Sequence, residues 1–140
     1  MDKLFGVSDA IVILTGVSGK LGFEYAKAFL TRQSRVIGLD VQSSADNEAL
    51  LQNFPEKYHF YKADVCDRLT LTAVLEDVLK QYGVPTVLLN NAGIDASPNA
   101  SEQENGLFAA CSDATGDKVM DVNLIGVYLC GKVFGWRTLL

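Results

Sequence analysis

A short glycine-rich stretch, residues 10–25, constrains the fold of this chain most strongly. The apolar run Ala10 to Leu14 leads directly into a turn that contains Gly16, Gly19 and Gly22. An uninterrupted apolar run is typical of a parallel strand that is buried on both faces. Glycines that follow such a strand allow a tight turn and a close approach of the backbone to a phosphate group. The stretch therefore predicts a strand, a phosphate-binding turn and a helix.

The helix after this turn is expected to end near Leu30, and it is indicated by Leu21, Tyr25 and Phe29, which recur every four residues. The N-terminus of a helix carries unpaired N–H groups and about half a positive charge, so it attracts anions. A surface hairpin can also use glycines, so this stretch alone leaves both interpretations open.

A second buried strand, Arg35 to Asp40, ends in a carboxylate. In dinucleotide-binding folds an acidic residue at the end of the second strand accepts hydrogen bonds from the adenosine ribose. Asp40 could also be only a solvated strand end. The glycine turn and Asp40 together predict a dinucleotide site more strongly than either feature does alone.

The rest of the chain predicts two more strands and three more helices. The strands are Tyr58 to Ala63 and Thr86 to Leu89, and the helices are Glu48 to Phe54, a segment between the N-cap Asp67 and Gly83, and Lys118 to Phe134. Residues 94–117 are expected to form a loop. Strands that alternate with helices predict an α/β fold with a doubly wound parallel sheet.

The two long helices have periodic apolar positions that predict their buried faces. In the helix after Asp67 these positions are Leu71, Val74, Leu75, Val78, Leu79 and Tyr82. In the last helix they are Val119, Val122, Ile125, Leu129 and Val133.

The composition is that of one globular domain, with 140 residues, 49% of them hydrophobic and 21% charged. A net charge of −5 without clustered Lys and Arg argues against nucleic acid and anionic membranes as partners. Cys66, Cys111 and Cys130 have no paired spacing, which predicts reduced thiols and neither a disulfide framework nor a metal site. No signal peptide and no apolar span of about 20 residues is evident, which predicts a cytoplasmic protein.

The chain resembles the short-chain dehydrogenase/reductase family from Ile11 to about Phe134. Four motifs carry the resemblance: the turn from Thr15 to Gly22, Asp64-Val65, Asn90-Asn-Ala-Gly93 and Val119-Met-Asp-Val-Asn123. The resemblance implies a Rossmann fold and hydride transfer between a nicotinamide cofactor and a small-molecule alcohol or carbonyl substrate. A cofactor-binding half of that fold, incomplete after the fourth strand and the following helix, would account for residues 1–140.

The resemblance implies roles for residues near the first two strands. Backbone N–H groups in the turn would border the cofactor's pyrophosphate and adjacent ribose, and the residues concerned are Gly16, Ser18, Gly19, Leu21 and Gly22. Asp40 would bind both ribose hydroxyls and repel a 2′-phosphate. No Arg or Lys stands beside it at Val41 or Gln42, so NAD is favoured over NADP.

Further roles are implied at the later motifs. Asp64 and the backbone of Val65 would bind the adenine edge, although Asp64 could instead cap a helix. Asn91, Ala92 and Gly93 would lie against the nicotinamide-side ribose, although the asparagines could be turn residues. Asn123 would support the proton relay, or have a structural role, since asparagine disfavours helix interiors.

The chain departs from the family pattern in two respects. Most members have glycine where this chain has Lys20. The family's catalytic Ser and Tyr-x-x-x-Lys follow the asparagine helix by several tens of residues, and the sequence ends at Leu140 before that region. The matches Tyr58/Lys62 and Tyr128/Lys132 are not expected to replace them, since the first pair lies in a strand and the second lacks an upstream serine.

Two functions therefore remain open. The chain is either the NAD-binding half of an oxidoreductase that is not catalytic alone, shortened or frameshifted at its end, or a non-catalytic dinucleotide-binding or interaction protein. The fourth strand would become an open sheet edge, which invites pairing. A homo-oligomer could form through that edge or through the last helix.

Overall fold

The structure of the protein, a computed structural model, describes residues 6–95 and 107–138. Within these ranges the strands are β1 (Ile11–Thr15), β2 (Arg35–Asp40), β3 (Tyr58–Lys62) and β4 (Val87–Leu89). The α-helices are α1 (Lys20–Thr31), α2 (Ala45–Asn53), α3 (Arg68–Gln81), α4 (Asp113–Met120) and α5 (Val127–Thr138). A π-helix, Asp121–Gly126, joins α4 to α5, and a short 3₁₀ turn spans Phe108–Ala110.

The four strands form one parallel sheet in the order β3-β2-β1-β4. β1 lies in the middle, where Ile13 pairs with Ile37 of β2 on one side and Leu88 of β4 on the other. The chain moves outward from β1 through β2 to β3 and then returns to the opposite side for β4. Such a reversal of strand order leaves a crevice at the carboxyl ends of the strands, where ligands of α/β sheets bind.

Hydrophobic clusters cover both faces of the sheet. Ile13 and Leu39 point to one face, where they belong to a cluster with α3 and α5. Val12 and Leu14 point to the other, where they belong to a cluster with α1 and α2. This alternation along β1 explains why every residue of the strand interior is apolar. The predicted doubly wound α/β fold is thus confirmed.

The face that α1 turns to the sheet is not the one that carries its recurring large apolar residues. Leu21 is 64% exposed and Tyr25 39% exposed, whereas Gly22, Ala26 and Leu30 are buried. The helix lies so close to the glycine turn that the position in contact must lack a side chain, and Gly22 occupies it. The buried stripe therefore begins one residue later than the large apolar side chains indicate.

Two helices begin earlier than predicted because serines cap them. The Ser44 hydroxyl accepts the Asn47 N–H at 3.2 Å, so α2 begins at Ala45 and not at Glu48. The Ser112 hydroxyl accepts the Thr115 N–H at 3.2 Å, so residues 113–117, predicted as loop, are helical. Most of the remaining predicted loop, residues 96–106, lies outside the described residues.

The π-helix changes the buried face of the last helical segment. Ile125, predicted to be buried, is 43% exposed, while Gly126 and Cys130 are buried. In a π-helix each N–H bonds to the carbonyl five residues back, not four as in an α-helix, so the following residues are rotated relative to an ideal α-helical pattern. Gly126 then faces Val65, where a Cβ atom would lie only 2.5 Å from Val65 Cγ2. The buried face predicted for α3 is correct, with Leu71, Val74, Leu75 and Val78 buried.

Residues 6–95 and 107–138 contain no helix that is long and apolar enough to cross a membrane. In the same ranges, no three His, Cys, Asp or Glu side chains are arranged to hold a metal ion. Cys66, Cys111 and Cys130 are free thiols.

Candidate functional site

Two glycines of the β1–α1 turn are required by their surroundings. Gly16 has a φ angle of 68°, and a Cβ atom there would lie 2.7 Å from the Cα of Ala92. At Gly22 a Cβ atom would lie 2.1 Å from the Gly16 carbonyl oxygen. Real Cβ atoms do not approach backbone so closely, so neither position accommodates a side chain without movement of the turn.

A buried threonine and an asparagine close this turn from the side of β4. The Thr15 hydroxyl accepts the backbone N–H groups of Asn91 and Ala92, each at 3.0 Å. In return, the Asn91 side-chain amide donates to the carbonyls of Thr15 and Gly16 at 3.0 Å. The end of β1 and the start of the segment after β4 are therefore fixed to each other. Sequence reasoning assigned no role to Thr15, although a hydroxyl at the end of an apolar strand signals such a contact.

The N-terminus of α1 opens beside this junction without a protein cap. Gly19 occupies the N-cap position and offers no side chain, and the first turn contains no acidic residue. A helix start leaves its first N–H groups without intrahelical partners and carries a partial positive charge. This end of the helix can therefore bind an anion.

A cavity of about 630 Å³ lies at the carboxyl ends of the strands. Ten of the predicted site residues line it: Gly16, Gly19, Leu21, Gly22, Asp40, Asp64, Val65, Asn91, Ala92 and Gly93. Sequence reasoning did not assign the other lining residues to the site, which are Lys20, Leu39, Val41, Ala63, Ile94, Lys118 and Val122. The volume is in the usual range for cavities that bind small molecules and cofactors.

Ser18 and Asn123 are not among the residues that line the cavity. The Ser18 N–H, expected to face a pyrophosphate, donates instead to Asp40 Oδ2 at 3.0 Å. The Ser18 hydroxyl donates to the Gln42 carbonyl at 2.7 Å. Ser18 thus binds the segment after β2, which sequence spacing could not show because the two are far apart in the chain.

Asn123 binds the segment that follows β4. Its Oδ1 accepts the Ile94 N–H and its Nδ2 donates to the Ile94 carbonyl, both at 2.8 Å. The residue lies in the π-helix, an element that is frequent at functional sites. Within the described part of the chain, the Asn123 amide therefore holds the backbone of Ile94, which lines the cavity.

Asp64 and Asp67 have different local roles. Asp64 is exposed, lines the cavity, and accepts the Cys66 N–H at 2.9 Å. Asp67 caps α3, since its Oδ1 accepts the N–H groups of Leu69 and Thr70. The Thr70 hydroxyl and N–H also lower the pKa of Asp67. Asp64 is thus not needed as the cap of α3.

Neither Tyr-x-x-x-Lys match lines the cavity. Tyr58 is 1% exposed and its hydroxyl donates to Asn47 Oδ1. Burial, with the neighbouring Asp40 and Glu48 carboxylates, raises the pKa of Tyr58. Tyr128 is 58% exposed on α5, and Lys132 Nζ lies 5.4 Å from its ring centroid. Both pairs have ordinary structural contacts.

Comparison with known proteins places this geometry in a family. The profile of the short chain dehydrogenase family matches residues 10–134. The 2-(R)-hydroxypropyl-CoM dehydrogenase of Xanthobacter autotrophicus is 32% identical over 122 residues, which is 85% of this chain and 47% of that protein. The NAD-dependent glycerol dehydrogenase of Listeria innocua is 24% identical over 96% of this chain and 49% of its own length.

Solved structures agree with this assignment at the level of the fold. The aldohexose dehydrogenase of Thermoplasma acidophilum superposes with a TM-score of 0.77 and 28% identity, over 95% of this chain and 46% of its own. A Haemophilus influenza structure with bound NAD has a TM-score of 0.81 at 21% identity, over 95% of this chain and 51% of its own.

The chain spans about half the length of the curated relatives that it matches. The matched region includes β1 to β4 and most of α5, and with them the glycine turn, Asp40 and the cavity. On this match and this geometry, the chain belongs to the short chain dehydrogenase family.

Proposed function

We propose that this chain binds NAD(H) and forms the dinucleotide-binding part of an oxidoreductase that acts on an alcohol or carbonyl group of a small molecule. One observation carries the proposal. A single cavity has the uncapped N-terminus of α1 in one wall and the Asp40 carboxylate in another. This combination offers N–H donors to a pyrophosphate and an acceptor to a ribose.

The residues of the cavity fit a dinucleotide. The turn at Gly16 and Gly22 brings the backbone near the cavity without side chains, which leaves space for phosphate oxygens. Asp64 and Val65 would bind adenine, and Asn91 to Gly93 would border the nicotinamide-side ribose. When bound, the nicotinamide supplies or accepts the hydride; the protein binds and orients it.

The preference for NAD over NADP follows from Asp40. Its carboxylate would accept the ribose hydroxyls, and at the same place it would repel a 2′-phosphate. Two like charges about 4 Å apart near a protein surface repel by roughly 1–4 kcal/mol. The neighbouring Val41 and Gln42 have no positive charge to compensate. Two similar proteins support the proposal, namely the NAD-dependent Listeria enzyme and the Haemophilus structure with NAD.

Neither Tyr-x-x-x-Lys match places a tyrosine in the cavity as a general acid. Tyr58 is buried in the cluster that packs against α1 and α2, Tyr128 is exposed, and neither lines the cavity. Loss of a general acid reduces the rate of such reactions by about 10²- to 10⁴-fold. We therefore expect the 140-residue chain by itself to bind the cofactor without appreciable turnover.

The proposal is tested by titrating the purified chain with NADH and, separately, with NADPH. Binding is measured by calorimetry and cofactor fluorescence. Saturable binding with NADH preferred is expected. Asp40→Asn removes the charge of the side chain but keeps most of its volume. The preference for NADH, measured as the ratio of the NADPH and NADH dissociation constants, should therefore fall by about tenfold or more. Glu24→Gln, on the exposed surface of α1, is the charge-matched control and should leave it unchanged. Equal affinity of the natural chain for both cofactors would contradict the role of Asp40.

The second candidate is an interaction protein that lacks catalytic activity. Exposed apolar side chains on the last helical segment favour it, namely Met120, Leu124, Ile125 and Tyr128. A folded chain that binds neither cofactor and sediments as a dimer or larger species would support this function. A monomer that binds NADH would exclude it.

A further inference from the structure

The turn between β2 and α2, residues 41–44, is held from two sides by hydrogen bonds that do not involve the cavity lining. On one side, the Ser18 hydroxyl donates to the Gln42 carbonyl at 2.7 Å. On the other, the Asn47 side-chain amide donates to the Ser43 hydroxyl at 2.6 Å. Ser18 belongs to the glycine turn and Asn47 to α2, so the 41–44 turn is fixed between two elements.

The second contact continues into the interior of the protein. Asn47 is fully buried, and its Oδ1 accepts the hydroxyl of Tyr58 from β3. Its backbone N–H donates to the Ser44 hydroxyl at 3.2 Å. A buried amide is costly unless its polar atoms are bonded, so these bonds hold Asn47 in one orientation. The 41–44 turn is thereby anchored to the sheet as well as to α2.

These contacts also determine where the Asp40 carboxylate lies. Ser18 N–H binds Asp40 Oδ2 at 3.0 Å, and Gln42 N–H lies 3.4 Å from Oδ1. Asp40 and Val41 both line the cavity, at the wall assigned to the adenosine ribose. The space and charge that a group on the ribose 2′ position would meet therefore depend on the position of this turn.

We propose that Ser18 and Asn47 are positioning residues that set the choice between NAD and NADP by holding the 41–44 turn and the Asp40 carboxylate in place. This inference rests on the proposed function, since it presupposes that the cavity binds a nicotinamide dinucleotide. Neither side chain needs to touch the cofactor. The discrimination that Asp40 exerts requires a fixed carboxylate, because a mobile one can turn away from a 2′-phosphate.

Substitution of Ser18 provides the main test. Ser18→Ala removes the bond to Gln42 but keeps the backbone N–H that binds Asp40. A neutral hydrogen bond contributes enough to change a binding ratio by about three- to tenfold, so the ratio of the NADPH and NADH dissociation constants should fall by that amount. Ser18→Thr retains a hydroxyl and should restore the ratio.

Ser43→Ala removes the second contact, together with the bond that the Ser43 hydroxyl donates to Glu48 Oε1 at 2.5 Å, and leaves the buried Asn47 in place. This substitution should also lower the ratio of the NADPH and NADH dissociation constants. Ser18→Ala and Ser43→Ala should both speed amide hydrogen exchange in residues 41–44. Thr31→Ala is the matched control, because within the described part of the chain the Thr31 hydroxyl bonds to its own helix, to the Lys27 carbonyl at 2.9 Å and the Ala28 carbonyl at 3.2 Å. It should leave the ratio and the exchange rates unchanged.

The outcomes separate this inference from the proposed function. If the natural chain binds NADH preferentially and both alanine variants keep its ratio, the positioning role is wrong and the proposed function stands. If Ser18→Ala lowers the ratio but Ser18→Thr fails to restore it, the hydroxyl is not the responsible group and the proposal is also overturned. If the natural chain binds neither dinucleotide, both proposals fall together.

Discussion

Single atoms decide the shape of the β1–α1 turn. Gly22 lies under the Gly16 carbonyl, and Gly16 lies against Ala92, so each glycine is fixed by a neighbour that a side chain would displace. Thr15, which is 1% exposed, completes the arrangement with a hydroxyl that accepts two N–H groups. The turn is therefore held by its own backbone on one side and by the segment after β4 on the other.

Gly22→Ala is expected to destabilise the protein by roughly 3 kcal/mol, because a Cβ atom 2.1 Å from the Gly16 carbonyl oxygen forces the turn to move. Urea denaturation of the two chains measures the difference. Gly116→Ala in α4 is the control, since a Cβ atom there has nothing within 4 Å. It should stabilise by about 0.5–1 kcal/mol, because alanine favours helices over glycine. Similar gains in both variants would show that helix propensity, and not the close contact, governs stability at Gly22.

At the scale of elements, regular periodicity could be predicted and local irregularity could not. The buried face of α3 followed from its apolar spacing, because a straight α-helix repeats that spacing. In the π-helix Asp121–Gly126 the apolar spacing does not predict burial, since Ile125 is exposed. In α1 it does not either, because the close contact at Gly22 sets the buried face. Both exceptions arise from close backbone packing, which has no signature in hydrophobic periodicity.

The contact between β2, β3 and α3 makes stability depend on pH through His59. His59 Nε2 lies 2.7 Å from Arg35 Nη1, which can only donate, so that nitrogen must be the unprotonated acceptor. The His59 ring also stacks on Tyr82 with centroids 4.1 Å apart. Burial, and then the charge of Arg35, lower the pKa of His59 below its ordinary value of 6.5.

A lowered histidine pKa means that the unfolded chain binds more protons than the folded one as the pH falls below about 6.5. The free energy of unfolding should therefore decrease as the pH falls from 7 toward 5. In His59→Gln this part of the pH dependence should disappear. Urea denaturation at pH 7, 6 and 5 measures it, and an unchanged slope in the variant would show that other groups are responsible.

For the whole molecule, the alternation of strands and helices was enough to predict the fold, because parallel strands require crossover helices on both faces. Ten of the residues that line the cavity could be predicted from the sequence, because the motifs that contain them encode the backbone geometry at the ends of strands. The contacts of Ser18, Asn91 and Asn123 could not be predicted, since each contact joins residues that are distant in sequence.

Cofactor binding should stabilise the whole fold, because the cavity joins β1, β2 and the segment after β4. NADH at about 100 times its dissociation constant should add roughly 2.7 kcal/mol, which raises the melting temperature by about 8 °C for a domain of this size. NADPH at the same concentration should raise it less. A melting temperature that does not change with the NADH concentration would contradict cofactor binding by the natural chain.

The bonds between Thr15 and the residues after β4 span 76 and 77 positions of the chain. Closure of so long a loop is slow compared with formation of a single helix or a neighbouring strand pair. The final shape of the turn beside α1 thus requires that β4 is paired with β1. A nucleotide bound in the cavity, which Gly16 of the turn and Ala92 after β4 both line, therefore opposes the separation of β4 from β1.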